Sequence, residues 1–340
     1  MTIAEPWADT PLALALGDPA GIGPEIAIKA WQVRQEKQLP PFFAVGDIRS
    51  VEAIWSGPVQ RINAPDEAAA VFDNALPLLS VEDGGEITPG QPNLEGARCS
   101  LDSLEVATGL TRSGAASALV TGPVAKAQLY AIGFTHPGQT EFVAERCGIS
   151  PENVVMMLAG PDLRVVPVTT HMPLSQVVHS LSIDVIAAKA RTTVRGLQRS
   201  FGIANPRLAF AGINPHAGEG GALGTEEIDL IEPAIAELRA EGLDVIGPLA
   251  ADTMFHARAR QSYDAAICMY HDQALIPLKT LYFDQGVNMT LGLPIVRTAP
   301  DHGTAFAIAG QGRAHPGATI AAIRLAAQAV MQRKLECTPA

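Results

Sequence analysis

The chain has 340 residues, 47% of them apolar and 17% charged, which is enough to bury a sizeable core. Its formal charge of −11 argues against nucleic acid as a partner, because no basic face is available to displace counterions from a phosphate backbone. A small anion held by a few placed cations stays allowed, and the four cysteines, Cys99, Cys147, Cys268 and Cys337, form no C-x-x-C pair, so they read as free thiols of a reducing compartment.

At the N-terminus, Glu5 and Asp9 stand where a signal peptide carries positive charge, and the apolar run Leu12–Leu16 is too short to span a membrane. A cytoplasmic protein with no membrane partner is therefore expected. Leu12–Leu16 reads as a buried strand that runs through Gly17-Asp18-Pro19-Ala20-Gly21-Ile22-Gly23-Pro24-Glu25 into a helix, with Pro24 suited to its first turn and Glu25 to its positive end. Phe42–Val45, Ala118–Val120, Val154–Leu158, Val165–Thr169, Leu208–Ala211 and Ala265–Met269 are further strands, each followed by a turn and a helical pattern. This alternation predicts an α/β fold with a mostly parallel sheet and helices on both faces. Asp83 to Gln91 reads as a loop, and there is no internal repeat or flexible linker. Residues 1–340 are expected to form a single enzyme unit of two lobes, discontiguous in sequence, with a cleft between them.

Three of the predicted strands end in a histidine. Val165–Thr169 leads to His171, Leu208–Ala211 to Asn214-Pro215-His216-Ala217-Gly218, and Ala265–Met269 to His271-Asp272-Gln273. Open α/β sheets bind ligands outside the carboxyl ends of their strands. One such histidine is ordinarily a loop or capping residue, but three can converge as a His₃ set with coordination positions left open for catalysis. Asp272 is placed to orient a ligand. Asp252 is either a proton relay or the N-cap of a short helix. His136, His179, His256 and His315 lack this placement, and His179 reads as a structural residue of a helix.

Beyond His271 come Lys279, Asn288 and Arg297, a point charge, an amide and a planar fork suited to carboxylate and phosphate on one small molecule; alternatively they are solvated surface residues. No G-x-G-x-x-G fingerprint is present, and Gly218 to Gly224 has the wrong spacing, so spacing alone reveals no dinucleotide site.

The stretch Asp301-His302-Gly303-Thr304-Ala305-Phe306-Ala307-Ile308-Ala309-Gly310-Gln311-Gly312, with Ala314-His315-Pro316 after it, resembles the adenosine-binding loop of isocitrate and isopropylmalate dehydrogenases. Those enzymes bind NAD(P) without the usual fingerprint. Together with Gly17–Glu25, Thr121–Lys126, Gly138-Gln139-Thr140-Glu141, Thr169–His171, Asn214–Gly218, Met269–Gln273 and Gly286–Arg297, the chain resembles the 4-hydroxythreonine-4-phosphate dehydrogenase family over nearly its whole length.

That resemblance implies an isopropylmalate-dehydrogenase-like α/β/α sandwich of two lobes around a central cleft. It implies a divalent metal (Zn, Mg or Co) on His171, His216 and His271, and substrate contacts from Thr140, Lys279, Asn288 and Arg297. His302, Gly303, Ala309 and Gly310 would contact NAD or NADP. It also implies a homodimer whose active site lies at the interface and takes a metal-binding histidine from the partner subunit. One position departs from the family pattern: the residue before Thr140 is commonly His and here is Gln139, which can still donate a hydrogen bond to an anionic substrate but cannot carry charge. The implied reaction is NAD(P)-dependent oxidation of a small phosphorylated amino acid, 4-phosphooxy-L-threonine, with loss of CO₂ from the β-keto acid formed. Asp252 and Lys126 are the candidates for proton transfer. A paralogous dehydrogenase for phosphorylated threonate would share the metal and cofactor residues; a metal-dependent aldolase or hydrolase would have no use for the 302–312 loop.

Overall fold

Apolar runs with no polar alternation need cover on both faces, and the computed structural model provides it. It describes residues 10–81 and 85–337. Glu5 and Asp9, the start of the Asp83–Gln91 loop and the Cys337 side chain lie outside the described residues. In chain order the strands are β1 (Leu12–Ala15), β2 (Phe42–Gly46), β3 (Val59–Ile62), β4 (Leu76–Ser80), β5 (Leu119–Thr121), β6 (Val155–Ala159), β7 (Arg164–Pro167), β8 (Arg207–Ala211), β9 (Asp244–Leu249), β10 (Ala265–Cys268), β11 (Val287–Leu291) and β12 (Arg297–Pro300). The helices are α1 (Gly23–Gln32), α2 (Ile48–Glu52), α3 (Ala68–Phe72), α4 (Leu94–Arg112), α5 (Lys126–Ala131), α6 (Gln139–Arg146), α7 (Leu174–Ser180), α8 (Ile183–Phe201), α9 (Glu232–Ala240), α10 (His271–Tyr282) and α11 (Gly317–Cys337). All seven expected strands are present, within a residue or two of their expected limits.

The chain divides into two compact units, one built from Met1–Ile149 and Leu293–Ala340, the other from Ser150–Gly292. In the first unit the strand order is β3-β4-β2-β1-β5-β12, parallel throughout. Every residue of β1, β2, β5 and β12 is buried, so both faces of this sheet are covered. Pro24 and Glu25 do occupy the first turn of α1, as their chemistry predicts.

In the second unit the order is β11-β6-β7-β10-β8-β9. Strands β7, β10, β8 and β9 are parallel, whereas β6 runs antiparallel to both of its neighbours. That reversal has a local cause: only Gly160, Pro161, Asp162 and Leu163 separate β6 from β7, and the amide of Gly160 donates to the Leu163 carbonyl at 2.8 Å. A parallel connection would require a crossover of a dozen or more residues. The core of this unit joins Leu158, Val165, Ala209, Ala266, Cys268 and Leu278. Cys99, Cys147 and Cys268 are free thiols, and burial pushes Cys99 up to about 12, far from any nucleophilic role. Among the described residues no helix is long and apolar enough to cross a membrane.

Candidate active site

Strands β7, β10 and β8 are consecutive neighbours in the second unit and run parallel, so the segments leaving their carboxyl ends emerge along one edge. Those segments carry His171, His271 and His216, which is why three histidines far apart in sequence are delivered to the same end of one sheet. The rings of His171 and His271 lie 5.7 Å apart between centroids at an interplanar angle of 45°. Two imidazoles bound to one ion at about 2.0–2.1 Å would have centroids about 5 Å apart, so this pair fits a shared metal with a small adjustment. His271 is the first residue of α10, and its Nδ1 sits 2.7 Å from Asp272 Oδ1. That bond fixes the ring, so Nε2 is the atom that would face a metal. Both histidines line a cavity of 390 Å³ together with Thr169, Thr170, Tyr270 and Asp272.

His216 is not part of that cavity lining, and among the described residues no three His, Cys, Asp or Glu side chains form a ready metal cage. It lies instead on an unusual turn. His216 (φ 54°), Ala217 (51°), Gly218 (78°), Glu219 (45°) and Gly220 (66°) are all left-handed. For the three residues with side chains this costs about 1–2 kcal/mol each, and such strain is held where the surroundings over-determine the backbone. The short turn carrying Asp252, Ala251–Thr253, packs against it. The capping residue of that turn is Ala250, so the N-cap reading of Asp252 is wrong; Asp252 is an exposed residue of the turn that packs against the His216 segment.

Lys279 and Asn288 belong to the same unit but stand away from the imidazoles. Lys279 follows His271 by eight residues on α10, about 12 Å along the helix axis. Asn288 is on β11, two strands from β7, and its Oδ1 is buried with no hydrogen-bond partner among the described residues. A buried carbonyl oxygen in that state is a ready acceptor for a ligand N–H or O–H.

The first unit gathers four of the expected site residues. Arg297 opens β12 and is 3% exposed, and burial lowers its guanidinium to about 10, so it is still a cation at neutral pH. Its Nη2 donates to Thr121 Oγ1 at 2.7 Å and to Gln139 Oε1 at 3.4 Å, and its Nη1 donates to Thr140 Oγ1 at 3.3 Å. Gln139 and Thr140 begin α6, whose N-terminal amides favour negative charge. The Gln139 side chain is engaged at both ends: Nε2 donates to the Gly122 carbonyl at 3.1 Å, and Oε1 accepts from Arg297. Lys126 completes the group, since a β-carbon at Gly138, the residue capping α6, would stand 3.6 Å from Lys126 Nζ. Thr121 joins this group with no signal of its own in the sequence, because a buried threonine closing a strand carries no distinguishing pattern.

The stretch 301–316 is strapped across α1 in the same unit. Ile22 N–H donates to Thr304 O at 3.0 Å, and Lys29 Nζ donates to the carbonyls of Gly312 (2.8 Å) and Ala314 (2.6 Å). Buried Glu25 accepts from the Ala314 amide at 2.8 Å and pairs with Lys29 at 2.9 Å. His302 turns Nδ1 toward the Gly303 carbonyl at 3.2 Å. Ala309 is buried against Ile22 and Ile26, which makes its side chain an anchor of the loop, while Gly303 and Gly310 are exposed. Gly310 has φ +70° and passes so close to Pro89 that an added β-carbon would fall 2.7 Å from it, hence glycine. Lys29→Met removes two charge-assisted hydrogen bonds and takes the cation away from the buried Glu25 carboxylate. It is expected to destabilise the protein by about 1.5–3 kcal/mol, read as a lowered urea midpoint at unchanged slope.

The family described as pyridoxal phosphate biosynthetic protein PdxA matches residues 40–326. The chain belongs to the PdxA family. A PdxA relative, the 4-hydroxythreonine-4-phosphate dehydrogenase of Zymomonas mobilis subsp. mobilis, is 56% identical over 324 residues, 95% of this chain and 97% of that one. The crystal structure of the 4-hydroxythreonine-4-phosphate dehydrogenase from Klebsiella pneumoniae superposes with a TM-score of 0.84 at 35% identity, covering 94% of this chain and 99% of that one. A terephthalate 1,2-cis-dihydrodiol dehydrogenase from Burkholderia xenovorans LB400 is also similar, at a TM-score of 0.62 and 31% identity over 94% of this chain and 98% of the other.

Proposed function

We propose that this PdxA-family chain is a 4-hydroxythreonine-4-phosphate dehydrogenase. It oxidises the secondary hydroxyl of 4-phosphooxy-L-threonine, whose carbon gives up hydride to NAD⁺ or NADP⁺ while the hydroxyl loses its proton. The resulting β-keto acid loses CO₂ to leave 3-amino-2-oxopropyl phosphate, a step toward pyridoxal 5′-phosphate.

The observation that carries this reading within the family is the buried guanidinium of Arg297, braced by Thr121, Gln139 and Thr140 at the start of α6. A planar, pre-oriented cation in a desolvated setting is suited to a phosphate or carboxylate. Within the second unit, Lys279 and Asn288 offer a charge and a buried acceptor for such a ligand. His171, His216 and His271 would hold a divalent cation (zinc, magnesium or cobalt), which when bound acidifies a hydroxyl and polarises a carbonyl. Imidazole nitrogens, with His271 oriented by Asp272, are a donor set suited to such an ion.

His302, Gly303 and Gly310 line the stretch that would receive the nicotinamide cofactor, and the Glu25–Lys29 strap keeps its backbone in place. Asp252, exposed beside the His216 turn, and Lys126, beside the α6 cap, are the groups available to take or return the proton. The working form is a homodimer with a metal-binding histidine contributed by the second copy. Free thiols at Cys99, Cys147 and Cys268 are in keeping with a cytoplasmic enzyme.

The test is NADH formation by purified protein given NAD⁺, a divalent metal and 4-phosphooxy-L-threonine, with phosphorylated threonate in parallel and an EDTA-treated control. Turnover of the amino substrate that disappears with EDTA is expected. Preference for the threonate would reassign the substrate, and silence with both would overturn the dehydrogenase reading.

A further inference from the structure

The His216 turn poses a mechanical problem. Five consecutive left-handed residues do not hold themselves together, yet a metal ligand must be fixed within a fraction of an ångström. Two buried side chains grip the segment just before it. Glu227, 2% exposed, lies at the start of a π-helical turn, Glu227–Ile231, a rare element that recurs at functional sites. Its Oε1 accepts the backbone amides of Ile213 at 2.7 Å and Asn214 at 2.8 Å, and its Oε2 accepts Asn214 Nδ2 at 2.9 Å. The turn closes tightly on this carboxylate: a β-carbon at Gly218 would fall 2.6 Å from Glu227 Oε2, so the backbone can pass only as glycine.

From the other side comes Gln273, 8% exposed, on the first turn of α10. Its Nε2 donates to the Gly212 carbonyl at 2.7 Å, and its Oε1 accepts the Met269 amide at 2.7 Å. The Met269 carbonyl in turn accepts the Thr169 hydroxyl at 2.8 Å. A continuous buried series therefore runs from Thr169, two residues before His171, through Met269 and Gln273, two residues on either side of His271, to Gly212 and Glu227 at the base of the His216 turn. An ionised carboxylate or a thioether cannot satisfy both ends of the Gln273 bridge, which must donate to a carbonyl and accept from an N–H.

We propose that Glu227 and Gln273 are positioning residues of the metal centre, which act by fixing the His216 turn to the ends of β8 and β10. This rests on the reading of His171, His216 and His271 as metal ligands. Neither residue touches metal or substrate; each sets where a ligand's backbone stands. Partners of this kind typically govern 10–100-fold of metal affinity.

The experiment titrates the full-length metal-free protein with Zn²⁺ by calorimetry, and with Co²⁺ by its visible absorption, well below the unfolding midpoint of each variant. Glu227→Gln keeps shape but turns an N–H₂ toward Asn214, and Gln273→Met keeps length but breaks the bridge. Each is expected to weaken both ions by roughly 10–100-fold and to alter the Co²⁺ spectrum, with far-UV circular dichroism unchanged. Gln273→Glu, which retains the acceptor and loses the donor, is expected to fall between wild type and Gln273→Met. A purely structural role would lower the metal-free midpoint and leave ion affinity and the Co²⁺ spectrum as in wild type, and that result overturns the proposal. A wild-type protein that binds neither ion would instead remove the metal reading itself.

Discussion

His216→Gly is expected to abolish divalent-cation binding and turnover while leaving the fold intact. Glycine is the informative replacement, because residue 216 has φ 54° and alanine would retain the left-handed strain without the imidazole. Loss of function in His216→Gly therefore reports the missing ligand and not a distorted turn. Outer partners of a ligand govern 10–100-fold of affinity, so the ligand itself should govern more than about 100-fold. Calorimetric titration with Zn²⁺, circular dichroism and NADH formation measure the three parts of the claim. Full activity in this variant would sink the assignment of His216 to the metal.

Arg297→Met is the second large effect. Truncating a buried, hydrogen-bonded cation that meets an anion typically costs about 2–5 kcal/mol, which corresponds to a roughly 30- to 5,000-fold fall in kcat/KM for the phosphorylated substrate. Arg297→Lys should recover only part of it, because an ammonium cannot span Thr121, Gln139 and Thr140 as the guanidinium does. The dissociation constant for NAD⁺ serves as the control and should not move. The sign of the pH dependence is also determined. Burial lowers the guanidinium to about 10, so anion affinity is fully present below that value and declines as pH rises through it. An unchanged kcat/KM in Arg297→Met would remove Arg297 from the substrate site.

What could be read before the structure, and what could not, follows from how each residue is used. Strands such as Phe42–Gly46 and Ala265–Cys268 are buried on both faces and show as unbroken apolar runs. Edge strand β3, with Gln60 and Arg61 exposed, and β9, interrupted by Gly247 and Pro248, carry no such run and were not predicted. Strand β12 escaped for the opposite reason: Arg297 looks like a surface charge and is instead a buried cation. Direction is invisible in an apolar run, so the antiparallel setting of β6 emerged only with its pairing. The histidines were legible because strand ends announce themselves. The left-handed turn that carries His216 was not, since Pro-His-Ala-Gly-Glu-Gly has no fixed conformation without Glu227 beneath it. Glu227 is eleven residues away from His216 and reads as one more charge on a helix.

The discontiguous first unit also has a history in time. Its sheet is completed by β12, which pairs with β5 across the whole of residues 150–292. Synthesis proceeds from the N-terminus at about 5–20 residues per second, so the inserted unit has emerged complete before β12 exists. Once that segment is folded, its ends are tethered and the loop that β5 and β12 must close is shorter in effect than its sequence length. Arg297 arrives with that final strand, so the buried cation is set in place only when the last strand docks, and a nascent chain cut short of it lacks that guanidinium altogether.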